Sequence, residues 1–138
     1  MATPSLPDLY WLAGLFEGEG SIVYERQKDW KGCAVKLQLT MTDEDVMRRA
    51  GAIMDVPVYG PYQPPVLKKD GTPRKMAWNI SIGGSHGAAW GMTLYVLLGQ
   101  RRQARLREIL TAWRISGSRQ YKKRRGLYDT KVSNTSSD

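Results

Sequence analysis

The 138-residue chain contains little cysteine and no long uninterrupted apolar segment. Its single cysteine, Cys33, excludes an internal disulfide and a zinc site built from several cysteines, which agrees with a reducing compartment. The longest stretch without charged residues, residues 76–100, is interrupted by glycines and polar side chains, so we expect no membrane span and no membrane partner. The first residues lack a basic n-region and a long apolar h-region, and we therefore expect a cytoplasmic protein that starts with its mature chain.

Acidic residues are too few to balance the basic ones. Twenty-one Lys and Arg against 13 Asp and Glu give a net charge of +8 and a pI near 9.8, which favours a polyanionic partner, nucleic acid before an anionic membrane. The length and the 41% of hydrophobic residues fit one domain, which we place at residues 1–116. Residues 117–138 are predicted to form a basic, flexible tail. Its run of Lys and Arg at 122–125 either adds phosphate contacts or is merely solvated.

The spacing of apolar residues predicts alternating helices and strand pairs. Period-two alternation is clearest over residues 33–41, and Thr42 with Asp45 predicts a capping box before the second helix. This order is typical of an α+β domain with antiparallel hairpins backed by helices. The predicted elements are a helix over 9–17, strands over 21–26 and 33–41, a helix from about 43, a strand over 75–82, and helices over 87–98 and 101–114. The prolines around residues 57–65 leave at best a short or edge strand over 58–63.

One face of the predicted sheet is polar, with amide, hydroxyl and ammonium groups. A β-ribbon fits the DNA major groove, where such groups pair with base edges. An ordinary solvated sheet face would show the same alternation, so the pattern alone leaves both interpretations open. We expect DNA contacts from the following residues: Glu25, Gln27, Lys36, Gln38, Thr40, Arg74, Lys75, Asn79 and Ser81.

The first predicted helix ends in two carboxylates spaced by glycines, Glu17, Gly18, Glu19 and Gly20. The C-terminal end of a helix is already negative, so acidic residues there reduce stability. Glycines let the chain turn sharply and let another backbone approach. Carboxylate and carbonyl oxygens together suit Mg²⁺ or Ca²⁺, although a plain glycine-rich helix end remains the alternative.

The same helix carries a strip of small residues at Ala13, Gly14 and Gly18. Such a strip permits close packing of another backbone. The partner is either the chain's own sheet or a second copy of the helix.

Residues 12–20, LAGLFEGEG, resemble the signature of the LAGLIDADG homing endonucleases. The leucines and glycines agree, and both acidic positions hold Glu where the signature has Asp. The order of predicted elements also resembles the family's αββαββα core, so the resemblance spans about residues 8–113. It implies an α+β fold in which helices back an antiparallel, DNA-binding sheet.

The resemblance implies an endonuclease that cuts both strands of a long, near-palindromic double-stranded DNA site, with no small-molecule substrate. The chain has one copy of the motif and no internal repeat, so the resemblance implies a homodimer with the two motif helices side by side. The residues expected at the dimer interface are Leu12, Ala13, Gly14, Phe16, Glu17 and Gly18.

The resemblance further implies that Glu19 ligates Mg²⁺, with the carbonyl of Gly18 adding a contact, and that Ca²⁺ binds without supporting cleavage. Such a metal helps to deprotonate the attacking water and stabilises the leaving 3′ oxygen. Asp43 falls where the family has a polar residue near the scissile phosphate, and Arg101 falls near its basic residue. An Asp at the first position and the lack of a Lys at the second depart from the family pattern. The expected catalytic residues are Glu19, Asp43 and Arg101.

Three other functions fit the same residues. An RNA maturase that aids splicing would use the same fold, and a DNA-binding regulator would retain the acidic residues as structural ones. A basic interaction module with a chance motif is the third. An endonuclease requires both Glu19 and a divalent metal, whereas a regulator binds DNA equally well in EDTA.

Overall fold

The structure, a computed structural model, describes residues 3–26 and 33–124. Gln27, one of the expected DNA contacts, and residues 125–138 of the predicted tail lie outside the described residues. The described chain forms four α-helices, a short 3-10 helix and a four-stranded antiparallel sheet, which confirms the predicted α+β class. The elements are α1 (Leu6–Glu19), β1 (Ser21–Arg26), β2 (Cys33–Met41), α2 (Glu44–Met54), β3 (Tyr59–Tyr62), β4 (Ala77–Gly83), α3 (Gly84–Leu94), the 3-10 helix (Tyr95–Leu97) and α4 (Gln100–Arg124).

The sheet has the strand order β1-β2-β4-β3, with the two long strands at its centre. Leu37 lies opposite Ile82, and Leu39 lies opposite Ile80. All four side chains are buried. Successive residues of a strand point to opposite faces, so this register places one apolar face under the helices and leaves the polar residues on the other face.

The core lies between the apolar face of the sheet and the four helices. Each helix contributes at least one fully buried side chain: Leu12 from α1, Met47 from α2, Leu94 from α3 and Leu106 from α4. All four helices contact β2 or β4. None of the described helices is long and apolar enough to cross a membrane.

Helix α1 is longer than predicted at both ends. The Ser5 hydroxyl accepts a hydrogen bond from the Asp8 amide at 3.2 Å, and the Asp8 carboxylate accepts one from the Ser5 amide at 3.3 Å. This capping box begins the helix at Leu6 rather than at Leu9. At the other end the helix continues through Gly18 to Glu19.

Helix α2 begins at Glu44, which agrees with its predicted start near residue 43, but the predicted cap is absent. The capping box expected from Thr42 and Asp45 is wrong, because Asp43 is the N-cap and its side chain makes no capping hydrogen bond.

The last two helices begin or end away from their predicted limits. Helix α3 begins at Gly84, whose φ of 63° favours glycine, rather than near Gly87. Helix α4 continues to Arg124, past its predicted end near Arg114 and past the boundary predicted between residues 116 and 117.

Candidate active site

A groove of about 620 Å³ lies at one end of the sheet. Two carboxylates, those of Glu19 and Asp43, line it together with three basic side chains, those of Lys68, Arg74 and Lys75. Opposite charges are thus gathered on one surface. The other residues that line the groove are Thr40, Met41, Thr42, Tyr62, Pro64 and Ala77.

The groove residues converge because of the strand directions. Glu19 closely precedes β1, Asp43 follows β2, and Lys75 precedes β4. Strand β2 is antiparallel to both β1 and β4, so its end meets the starts of its two neighbours at the same edge of the sheet. Residues that are distant in sequence therefore line one groove.

Neither groove carboxylate is engaged elsewhere. Glu19 and Asp43 are exposed, and nothing in the described part of the chain forms a hydrogen bond or ion pair with either side chain. An Asp at an N-cap usually accepts a hydrogen bond from the first turn of its helix. Because Asp43 does not, its carboxylate stays available to the groove.

The second acidic residue of the α1 end, Glu17, is used differently. Its Oε2 accepts a hydrogen bond from the Gly99 amide at 3.0 Å and lies 3.6 Å from Nε of Arg102. Glu17 therefore joins α1 to the start of α4 and does not line the groove.

Gly20 sets the path of the chain between Glu19 and β1. Its amide donates to the carbonyl of Phe16 at 3.0 Å. A Cβ at Gly20 would lie 2.9 Å from both Cα and the carbonyl oxygen of Phe16, closer than real contacts allow. The chain can therefore leave α1 this tightly only with glycine at the position.

The basic side of the groove comes from the connection between β3 and β4. The Lys68 amide donates to the Thr72 carbonyl at 2.9 Å, and the Gly71 amide donates to the Lys68 carbonyl at the same distance. Asp70 accepts hydrogen bonds from the Thr72 hydroxyl at 2.6 Å and from the Thr72 amide at 2.9 Å. The hydrogen bond from the Thr72 hydroxyl, followed by that from the Thr72 amide, lowers the pKa of Asp70. The turn thus holds Lys68 in place.

The polar sheet face adjoins the groove through Thr40. Thr40 lies opposite Asn79, and Gln38 lies opposite Ser81. Lys36 lies on the same face, because the residues on either side of it in β2, Val35 and Leu37, are buried on the other face. Glu25 lies in β1 opposite Ala34. The structure therefore brings most of the expected DNA contacts onto one continuous surface. Arg74 and Lys75 lie on the groove itself.

The structure does not bring Arg101 to the groove. Arg101 is exposed near the start of α4, and the neighbouring Arg102 binds the end of α1 instead. Positive charge at the groove comes from Lys68, Arg74 and Lys75. The sequence analysis did not single out Lys68, although the Asp70-Gly71 pair two residues further on is of a type that favours turns.

The expected dimer interface is also revised. Leu12, Ala13 and Phe16 are buried in the protomer's own core, because they form the side of α1 that faces the sheet. Gly14 and Gly18 are exposed, and apart from adjacent residues and the backbone of the helix itself, no described atom lies within 4 Å of a Cβ built on either. The part of the expected interface that is open to a second copy is therefore Gly14, Glu17 and Gly18.

The groove offers two carboxylates as oxygen ligands for a magnesium ion. No three His, Cys, Asp or Glu side chains come together within residues 3–26 and 33–124 to hold a metal. Mg²⁺ commonly uses one or two carboxylates and takes its other oxygens from water and substrate phosphates. Glu19 and Asp43 match that donor set. Gly18 lies in the last turn of α1, where carbonyl groups lack helical partners.

Comparison of the sequence with family models and with curated proteins gives no match. The candidate site is therefore defined by its own residues: two carboxylates without described partners, three cations, and an adjoining polar sheet face.

Proposed function

We propose that the protein is a homodimeric, metal-dependent DNA endonuclease of the LAGLIDADG homing type, which cuts both strands of a long, near-palindromic site. One observation supports this above the others. Glu19, the second acidic residue of the motif, lines a groove with Asp43 and with Lys68, Arg74 and Lys75. The observed element order, α1-β1-β2-α2-β3-β4-α3, also supports the resemblance to the family's αββαββα core.

DNA binding in this proposal is divided between the sheet and the groove. The polar face of β2 and β4 contacts base edges in the major groove, where Gln, Asn and Lys have natural partners. Lys68, Arg74 and Lys75 bind phosphate oxygens, which sets the register of the duplex on the protein. The DNA backbone at this edge of the sheet is thereby held beside the two carboxylates.

The chemistry in this proposal is hydrolysis without a covalent intermediate. Glu19 and Asp43 would hold Mg²⁺ together with an oxygen of the scissile phosphate. A divalent ion held by these residues would supply the Lewis acidity that polarises a phosphoryl oxygen and activates a water molecule. The three basic side chains balance the charge of the phosphate and keep it in place. In this proposal Arg74 contributes positive charge and hydrogen-bond donors to the phosphate and does not act as a general base.

A double-strand cut requires two grooves, one for each strand. Each protomer has one groove, and a two-fold axis relates two of them in a homodimer. Gly14 and Gly18 carry no side chains on the exposed side of α1, and in this proposal a second α1 packs closely against that strip. A two-fold protein then matches a near-palindromic site.

The test begins with purified protein, Mg²⁺ and a pooled library of partially randomised palindromic duplexes, with sequencing of any cut ends. Staggered cuts at one symmetric site are expected, and EDTA should abolish them. Ca²⁺ should support binding of that site without cleavage.

Glu19→Gln is the decisive variant, because it keeps the shape of the side chain and removes the charge. It should stop cleavage and leave DNA binding largely intact. Glu108→Gln is the matched control, because it neutralises an exposed carboxylate on α4, outside the groove. This variant should cut DNA at the wild-type rate. Cleavage by Glu19→Gln at the wild-type rate would exclude Glu19 as a metal ligand. Binding without any cleavage by the wild type would favour a regulator or a maturase, and splicing would be assayed next.

A further inference from the structure

The end of α1 concentrates negative charge without a cation of its own. The last turns contain Glu17 and Glu19, and no basic residue lies in the last turn. The final carbonyl groups of a helix lack amide partners, and the helix dipole adds further negative potential there. A stable arrangement therefore needs donors from elsewhere in the chain.

Arg102 of α4 supplies those donors. Its Nε and one terminal nitrogen donate to the carbonyl of Glu17 at 3.2 and 3.0 Å. Its other terminal nitrogen donates to the carbonyl of Gly20 at 2.7 Å. Nε also lies 3.6 Å from the Glu17 carboxylate. The Arg102 side chain is only 15% exposed, so these bonds are largely shielded from water.

The two carbonyl groups bound by Arg102 belong to the residues on either side of Gly18 and Glu19. We propose that Arg102 is a positioning residue, which holds the Glu19 carboxylate in the groove by clamping the backbone before and after it. The metal part of this inference rests on the proposed function. Arg102 does not line the groove and has no contact with the Glu19 side chain, so it acts on Glu19 through the backbone.

The clamp depends on the shape of the guanidinium group as well as on its charge. Arginine presents several N–H donors in a rigid plane, whereas lysine has one flexible ammonium group. The Gly99 amide bonded to Glu17 fixes the start of α4 against α1, which keeps Arg102 in register. A lysine at position 102 would therefore retain the charge and lose the paired bonds to Glu17 and Gly20.

The test compares Arg102→Lys and Arg102→Leu with Arg107→Leu, a control that removes an exposed arginine from the same helix. Two NMR measurements on the full chain report on the end of α1. Hydrogen exchange of the Gly20 amide, which donates to Phe16, reports local opening. Line broadening of the Glu19 amide by added Mn²⁺ reports whether the carboxylate is placed to bind a metal.

Loss of charge-assisted hydrogen bonds should raise Gly20 exchange about tenfold and raise the Mn²⁺ concentration for half-maximal broadening about tenfold. Both Arg102 variants should show both changes, and Arg107→Leu should show neither. Circular dichroism verifies that each variant is folded. Arg102→Lys keeps the charge and guards against the case in which Arg102→Leu does not fold.

The results separate this proposal from the proposed function. Wild-type-like exchange and broadening in Arg102→Lys would overturn the clamp, even if the protein cuts DNA. Absence of Glu19 broadening in the wild type would count against the metal-dependent function and against the metal part of this inference. Faster Gly20 exchange in both Arg102 variants would then still establish the backbone clamp.

Discussion

The side-chain amide of Asn79 donates to the hydroxyl of Thr40 at 2.8 Å across strands β4 and β2. The same nitrogen donates to the carbonyl of Leu39 at 3.3 Å. A backbone carbonyl can only accept, so the nitrogen of Asn79 must lie on that side and its oxygen is left on the polar face. If the sheet binds DNA as proposed, Asn79 would present an acceptor to a base edge, and the two hydrogen bonds of its nitrogen would fix the direction of that acceptor.

Asn79→Ala should reduce stability and relax base preference together. Removing the amide should lower the free energy of unfolding by about 1 kcal/mol. Discrimination at one base pair of each half-site should weaken by about 1 to 3 kcal/mol. Chemical denaturation and binding to a set of single-base variants measure the two effects. Ser81→Ala, which breaks no described hydrogen bond, should leave stability nearly unchanged, and an unaltered base preference in Asn79→Ala would exclude base reading by Asn79.

Lys68 and Lys69 are adjacent in the chain but differ in position. Lys68 lines the groove, whereas Lys69 does not. Lys68→Ala should weaken binding to all DNA sequences alike, and it should lower the slope of log affinity against log salt by about 0.9 for each phosphate that Lys68 neutralises. Lys69→Ala should have a much smaller effect. If the slope of log affinity against log salt were the same in Lys68→Ala and Lys69→Ala, Lys68 would not make a specific phosphate contact, and only the general positive charge near the groove would contribute to binding.

Gly14→Leu should produce a folded monomer. Apart from adjacent residues and the backbone of α1 itself, no described atom lies within 4 Å of a Cβ at Gly14, so the protomer has room for the larger side chain. Leucine also has a higher helix propensity than glycine. A second α1 packed on the same strip has no such room. Analytical ultracentrifugation should show loss of the dimer, and double-strand cleavage should fall with it. Ala104→Leu enlarges another exposed helical position and serves as the control; a dimer that survives Gly14→Leu would place the interface elsewhere.

The turn that presents Lys68 should depend on pH through Asp70. The hydrogen bond from the Thr72 hydroxyl, and after it the one from the Thr72 amide, lowers the pKa of Asp70. The ionised carboxylate therefore stabilises the folded turn. This contribution is present above the ordinary pKa of Asp and is lost as the pH falls through the lowered value. Thr72→Val should raise the pKa of Asp70 in a carbon NMR titration of its carboxyl group, whereas Thr72→Ser should not. An unchanged titration in Thr72→Val would rule out the hydroxyl as the main cause.

Much of the sheet was predictable because strand patterning is local. The alternation over residues 33–41 predicted both the limits of β2 and its buried face, and the structure confirms them. The short edge strand between prolines was likewise found, at Tyr59–Tyr62. Helix limits were predicted less well, because several neighbouring residues have side chains that can cap a helix and the sequence does not show which of them does so. Ser5 caps α1 ahead of its predicted start, and α4 continues to Arg124, well past its predicted end, whereas α2 begins at Glu44 close to its predicted start.

The candidate site was predictable in its acidic residues and less so in its basic ones. The acidic, glycine-spaced motif indicates Glu19, the family resemblance implies Asp43, and both line the groove. Arg101 was expected near the phosphate but does not line the groove, whereas Lys68 does. Basic residues are frequent in this chain, and their types alone do not tell which of them approach a given surface.

The sequence by itself determined the α+β class, the apolar and polar faces of β2, and the acidic, glycine-spaced end of α1. Each of these properties follows from the order of apolar and polar residues within single segments, because the local backbone geometry of a helix or strand fixes which side chains share a face. Only the tertiary structure decided that Arg102 binds the end of α1, that Lys68 reaches the groove, and that Leu12 and Phe16 are buried while Gly14 is exposed. Those relations join segments far apart in the chain, and strand register and helix packing bring them together.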